Sequence, residues 1–347
     1  MSSLTIALAS LGGVVIAGMV AHGAWSARRA GPKRASAPLS RDDAREPVLD
    51  DGPGVAPIVD AAPEMPVLRT TRRPAPRLDA LIDALAPLAL EAPVSGDMVQ
   101  SHLPPTRRVG SKVFLIEGLN AETGEWETPA PGHRYREFQA GVQLANRTGA
   151  LNEIEYSEFV QRVQAFAEAT AAMPDLPDML EVMARARELD AFASQHDAQL
   201  AVHLHARAAA WSVGYIQQHA RRHGFVPGAV PGRLVLPSQD EGAPPVLTLT
   251  FDSQAALAEQ AEVAAVRDVT LTFDVPQTDA GVEPFAAWQA AAQALALDMD
   301  ADVVDDNGRP LSAEGFVAIG NELGKLYESL AARDLAAGSP AARRLFS

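Results

Sequence analysis

The sequence contains no cysteine, which excludes disulfides, thiolate metal sites and cysteine nucleophiles. Aromatic residues are only 5% of its 347 residues, and Ala dominates an apolar fraction of 47%, a balance that favours helices. Positive charge is also short: 29 Lys and Arg stand against 44 Asp and Glu, a net of −15. Affinity for a phosphate backbone comes mainly from Lys and Arg displacing counterions, so no nucleic-acid partner is expected. Phosphate-cradling and nucleophile-elbow patterns are missing: there is no G-x-G-x-x-G, G-x-x-x-x-G-K-[ST] or G-x-S-x-G. The Gly-rich stretch GFVPGAVPG at 224–232 carries two prolines and precedes a strand, so it is not read as a phosphate loop.

What is present is uneven. Residues 1–45 hold six Lys and Arg against two Asp and Glu, net +4, which leaves −19 for the rest. Leu4 to Trp25 carries no formal charge, and its 22 residues make roughly 33 Å of helix, enough for a hydrocarbon core of about 30 Å. Arg28, Arg29, Lys33 and Arg34 follow it while only MSS precedes it. That asymmetry predicts a single span at 4–25, N-terminus outward and the remainder cytoplasmic, rather than a cleaved signal peptide. From 26 to 76 prolines recur with Ala, Gly, Arg and Asp and no hydrophobic period persists, so this reads as a basic, then Pro-rich, linker.

Beyond it, periodicity predicts alternating strands and helices. Arg77–Leu90 reads as a short amphipathic helix. Lys112–Leu119 and Phe138–Ala145 read as strands, Ile154–Met173 and Asp178–Gln195 as helices. A second series starts with the strand Gln199–His205 and the helix Ala209–His223. Strands at 234–236, 246–251 and 269–275 follow, with a short helix at Ala255–Val263. The helix Phe285–Leu297, a hairpin over 301–311 turning on DDNG, and a final helix capped by Ser312 complete it. The fold class expected is α+β: a mostly antiparallel sheet of split β-α-β type with helices on one face. Boundaries are set at 77–198 for an additional α/β region, 199–333 for the C-terminal domain and 334–347 for a tail. The helix–strand stretches 178–204 and 285–304 are loosely alike, so a degenerate duplication is open, although a shared pattern alone would look the same.

Catalytic signals are weak. His203 and His205 on a strand, with His219 and His223 on the next helix, have the pair spacings of a metal site. Leu200, Val202 and Leu204 form the apolar face of that strand, so both strand histidines point away from the covering helix. Arg221 and Arg222 between the helical pair read as a solvated surface. The aspartate pairs at 42/43, 50/51 and 305/306 fall in linker or turn, where Asp is favoured for backbone reasons. No catalytic, metal or cofactor residues are therefore assigned, and no enzyme is expected.

Two stretches carry a family resemblance. GMVAHGAWSARRA (18–30) and VTLTFDVPQ…FAAWQAAAQALALDMDADVVDDNGRPLSAEGFVAIGNELGKLYESLAAR (269–333) resemble the bacterial cell-division protein family ZipA. The order of parts matches along the whole chain and the domain match runs from about Gln199 to Arg333. The resemblance implies a membrane tether that binds FtsZ, the tubulin-like division GTPase, and holds the Z-ring at the membrane during septum assembly. It also implies a site: the C-terminal tail of FtsZ docks in a shallow apolar cleft on the exposed sheet face. Here alternation assigns to that face Ala201, His203, Val235, Thr248, Thr250, Asp252, Thr270 and Thr272, with Asp252 and Thr272 at the family's Met- and Phe-type cleft positions. Burying an apolar side chain against apolar partners is worth roughly 1.5–3 kcal/mol, and threonines offer little of it. Either the tail is held more by hydrogen bonds, or the partner surface has moved, toward the 77–198 region for instance. Threonine is also an ordinary strand residue by β-propensity. An adaptor of this fold with a partner other than FtsZ, or a metal-dependent enzyme using the histidines, are the alternatives.

Overall fold

The computed structural model describes residues 77–240, 242–257 and 265–347. The expected span at 4–25 and linker at 26–76 lie outside them. No helix among the described residues is long and apolar enough to cross a membrane. The described chain builds two antiparallel sheets, each with its own helices and core.

The first lobe runs β1 (Asp83–Ser95), α1 (Gly96–His102), β2 (Arg108–Val109), β3 (Lys112–Asn120), β4 (Trp126–Glu127) and β5 (Arg134–Gln143). A small hairpin, β6 (Ala145–Asn146) and β7 (Gly149–Ala150), leads to α2 (Glu153–Thr170), β8 (Met173–Pro174) and α3 (Met179–His196). Asn152 caps α2, its side chain accepting from the Ile154 and Glu155 amides while Glu155 answers in a capping box; Asp178 caps α3. Phe159, Val163 and Phe166 of α2 pack on Phe114 and Phe138 of the sheet, with edge-to-face ring contacts at 5.9 and 5.3 Å.

The second lobe runs β9 (Gln199–Ala206), α4 (Val213–Arg222), β10 (Val226–Pro227), β11 (Arg233–Leu236), β12 (Leu247–Thr250), α5 (Ser253–Leu257) and β13 (Asp268–Asp274). It ends with α6 (Pro284–Met299), β14 (Ala301–Val304) and α7 (Ala313–Ala331), the last capped by Ser312 as expected. Leu247, Leu249, Leu271, Phe273 and Val275 point to the core, as alternation requires, and meet Trp288 of α6. The indole of Trp288 donates to the Leu271 carbonyl at 3.0 Å, which satisfies the one polar atom of a buried ring.

The sheet orders are β2-β3-β5-β1-β8 and β11-β12-β13-β9-β14, with β4 and β10 as additions. The helices also correspond: α1 to α4, α2 to α6 and α3 to α7. The chain therefore carries the same topology twice, and 77–198 is an antiparallel α+β lobe of the second lobe's kind, not a separate α/β design. The repeat is out of phase with the stretches compared in the sequence. The counterpart of α6–β14 is α2–β8, whereas 178–204 joins the closing helix of one copy to the opening strand of the next.

The expected helix at 77–90 is a correction. Residues 83–95 are the central strand β1, with Ala84, Ala86 and Leu88 inward and buried and Pro87 and Ala89 outward and exposed. Leu and Ala recur so densely there that both periods fit. Pairing with β5 along most of its length decides for the strand, and Pro87 sits just before the point where pairing with β8 begins at Leu88.

Residues 334–347, set apart as a tail, contain α8 (Pro340–Leu345). Leu335, Ala342, Leu345 and Phe346 are buried in the first lobe's core, although they follow the second lobe in sequence. The turn into α8 needs Gly338, at φ +78°, where a Cβ would lie 2.5 Å from the Asp279 backbone. Arg344 forms two hydrogen bonds with the fully buried Asp83, at 2.6 and 2.8 Å. On the other side, Arg147 of the β6–β7 turn bridges Asp197 at 2.6 Å and Asp274 at 2.7 Å.

Candidate functional site

The outer face of the second sheet is a ladder of rungs across four strands. Val235, Thr248, Thr272 and Ala201 make one rung. Arg233, Thr250, Thr270 and His203 make the next, and β14 extends it with Val304 opposite His203. The period of two along each strand places all these side chains opposite the helices. Seven of the eight residues expected from sequence thus come together. Asp252 does not: it lies past the last paired residue of β12 and accepts the Gln254 amide at 2.9 Å, at the start of α5.

The face is shallow and partly dry. Thr248 is 9% exposed, and Ala201, Val235, Thr250, Thr270 and Thr272 are half-buried. Several hydroxyls are already engaged. His203 Nδ1 pairs with Thr270 Oγ1 at 3.1 Å, the Thr272 hydroxyl donates to the Thr248 carbonyl at 3.4 Å, and Arg233 donates to Thr248 Oγ1 at 3.4 Å. Val235 and Ala201 stand at the ends of one rung, and Arg233 and His203 at the ends of the other.

Sequence reasoning missed Asp306. It was read as a turn residue, yet its Oδ1 lies 2.9 Å from His203 Nε2, so the 305–308 turn folds over the end of the second rung. Asp305 keeps the turn role. It accepts the Asn307 and Arg309 amides at 2.8 and 2.9 Å, and the Arg309 and Asn307 amides hold its carboxyl below the ordinary range. Nothing in local sequence announces the Asp306 contact, because strand and turn are about a hundred residues apart.

The four histidines do not converge. His203 and His205 are on the outer face, where His205 pairs with Asp268. His219 and His223 are on the helical side. His219 is not solvated as expected from its arginine neighbours: its side chain is 12% exposed and packs against Tyr215. Both helical histidines face Asp298 of α6, His223 at 3.0 Å, and that hydrogen bond holds the Asp298 carboxyl below its usual range. Among the described residues no group of three or more potential metal-ligating side chains is gathered.

The class this defines is an α+β domain with helices on one side of an antiparallel sheet and a shallow, threonine-lined face on the other. Residues 250–321 match the family model described as ZipA, C-terminal FtsZ-binding domain. The match supports the ZipA family for this part of the chain, running from the end of β12 through β13, α6 and β14 into α7. No curated protein matches the chain.

Proposed function

We propose that this is a membrane-anchored division protein that binds FtsZ through the outer face of its second sheet, with the C-terminal tail of FtsZ as ligand. On this reading it tethers and stabilises the Z-ring at the cytoplasmic membrane during septum assembly, with residues 4–25 as the anchor and 26–76 as the spacer. The observation that carries it is that the stretch matching an FtsZ-binding domain supplies the middle strand of that face, β13, and the helix α6 that backs the sheet on its other side. An extended or helical tail laid across the two rungs would bury modest apolar area and meet threonine hydroxyls in the middle of each. Affinity would rest on both.

The test is a titration of the full-length chain into a fluorescent peptide of the same organism's FtsZ tail, followed by anisotropy. Thr250→Glu and Thr272→Glu place a charge in each rung and should each weaken binding by about tenfold or more, the equivalent of about 1.4 kcal/mol. Binding that ignores both substitutions would move the site. No binding to the tail or to assembled FtsZ would favour the second reading, an adaptor of the same fold with a different partner. The observation on its side is the polarity of the face.

A further inference from the structure

The outer edge of β3 is covered at both ends and open in the middle. β2 pairs at one end, where Arg108 faces Val113 and Val109 faces Lys112, and β4 at the other, where Glu127 faces Gly118. Among the described residues no strand pairs with β3 on that side at Ile116. The Phe114 amide donates outward to the Arg107 carbonyl at 3.0 Å. Backbone groups alternate in direction along a strand, so the amide and carbonyl of Ile116 point the same way, into the gap. Two prolines keep it open. Carried on in register, β2 would set Pro105 opposite Ile116 and β4 would set Pro129 there, and neither has an N–H to give. The corresponding edge of the second lobe has no gap, because β11 pairs with β12 at every residue from Leu247 to Thr250.

The gap is the floor of a cleft of about 280 Å³. Leu103, Pro104 and Pro105 form one wall, Thr128 stands on the other, and Ile116 lies between them. Both walls are anchored. Arg162 of α2 donates to Thr106 Oγ1 at 2.7 Å on the first. On the second, Gln100 donates to the Pro129 carbonyl, and the Ala130 amide donates to the Tyr135 hydroxyl at 2.8 Å. Ile116 is 7% exposed, and backbone groups so buried are nearly always paired. Among the described residues the one charged group of the lining is Arg107, which is exposed, and no acid lines the cleft.

We propose that this cleft is a peptide-docking site, in which an acidic, extended segment of a partner protein adds to β3 between β2 and β4. The segment runs antiparallel to β3, as its two neighbours do. One of its residues gives its amide to the Ile116 carbonyl and takes the Ile116 amide on its own carbonyl, completing a hydrogen-bonded pair. The side chain of that residue falls on the same face as Ile116 and Phe114, beside Leu103, so an apolar residue is selected there. Acidic residues next to it meet Arg107. Walls that are already anchored keep the ordering cost of binding low. The cleft belongs to the first lobe alone, so the proposal holds whether or not the threonine face takes the FtsZ tail.

The probe is the fluorescent peptide DETVTED, titrated into the full-length chain and followed by anisotropy, with KKTVTKK as its basic counterpart. Saturable binding is expected, about tenfold or more tighter for the acidic peptide, and Arg107→Glu at an exposed position should remove that preference. Methylating the backbone nitrogen of the central valine deletes the donor meant for Ile116 and should weaken binding by about tenfold or more. Amide exchange at Ile116 should slow about tenfold or more when the acidic peptide saturates the chain. Absence of saturable binding overturns the proposal. So does a methylated peptide that binds equally well, an Arg107→Glu chain that keeps the acidic preference, or an Ile116 amide that exchanges at one rate with and without the peptide.

Discussion

At the scale of single residues, the Asp83–Arg344 pair is the most exacting feature. Asp83 is fully buried, and burial raises its carboxyl above the ordinary range against the opposing pull of Arg344. An acid whose folded pKa is raised binds its proton more tightly when folded. Its penalty is therefore absent below the unfolded value of roughly 3.9 and builds as pH rises through the folded value. Removing Arg344 takes away the lowering influence, so the folded value climbs and the penalty at neutral pH grows. Arg344→Leu should cost about 3–5 kcal/mol at pH 7, the usual cost of orphaning a buried charge. Urea denaturation at pH 5 should show a smaller loss than at pH 7, because Asp83 is then closer to protonation; an equal loss would deny the carboxylate that role. Arg147→Ala is a milder case at the second clamp. It leaves Asp274, whose Oδ1 is already buried without a partner, holding an unpaired charge, and should cost about 1–3 kcal/mol by the same measurement.

At the scale of elements, the decisive piece is α8. It is only six residues long, too short to hold itself together in water, and its stability comes from the core it enters. Phe346 at its end is 1% exposed within the first lobe's core. Phe346→Ala should cost about 3–5 kcal/mol in thermal or urea unfolding of the full chain, as for other buried aromatics cut to alanine. A loss under about 1 kcal/mol would mean that the helix is an ornament on a lobe complete without it. The helix at 77–90 and the strand β1 make the opposite point about elements. Leu, Ala and Pro alone did not discriminate between them, and the β5 partner, about forty to sixty residues further along the chain, did.

At the scale of the molecule, the same fold occurs twice and the copies are tied crosswise. The chain leaves the second lobe through α7, and its last residues complete the first lobe's core, while Arg147 of the first lobe holds Asp274 of the second. The first lobe's core is incomplete without the residues that follow the second lobe, and Arg147 ties the second lobe back to it, so calorimetry of the described region within the full-length protein should give one transition rather than two. Two well-separated transitions would show that the lobes fold independently and that the crosswise ties are weak.

The amino-acid sequence by itself determined the α+β class, the Ser312 cap of the final helix, the inward–outward alternation of the second lobe's strands, and seven of the eight residues that meet on the outer sheet face. Those follow from period-two alternation, side-chain caps and turn chemistry, all of which act within a few residues. Only the tertiary structure decided that 83–95 is a strand, that 77–198 repeats the second lobe's topology, that the C-terminal residues belong to the first lobe's core, and that Asp306 reaches the outer face of the second sheet. Each of these depends on pairing or burial between segments far apart in the chain. Such choices are made by which partner a segment meets, and local pattern carries no record of the partner.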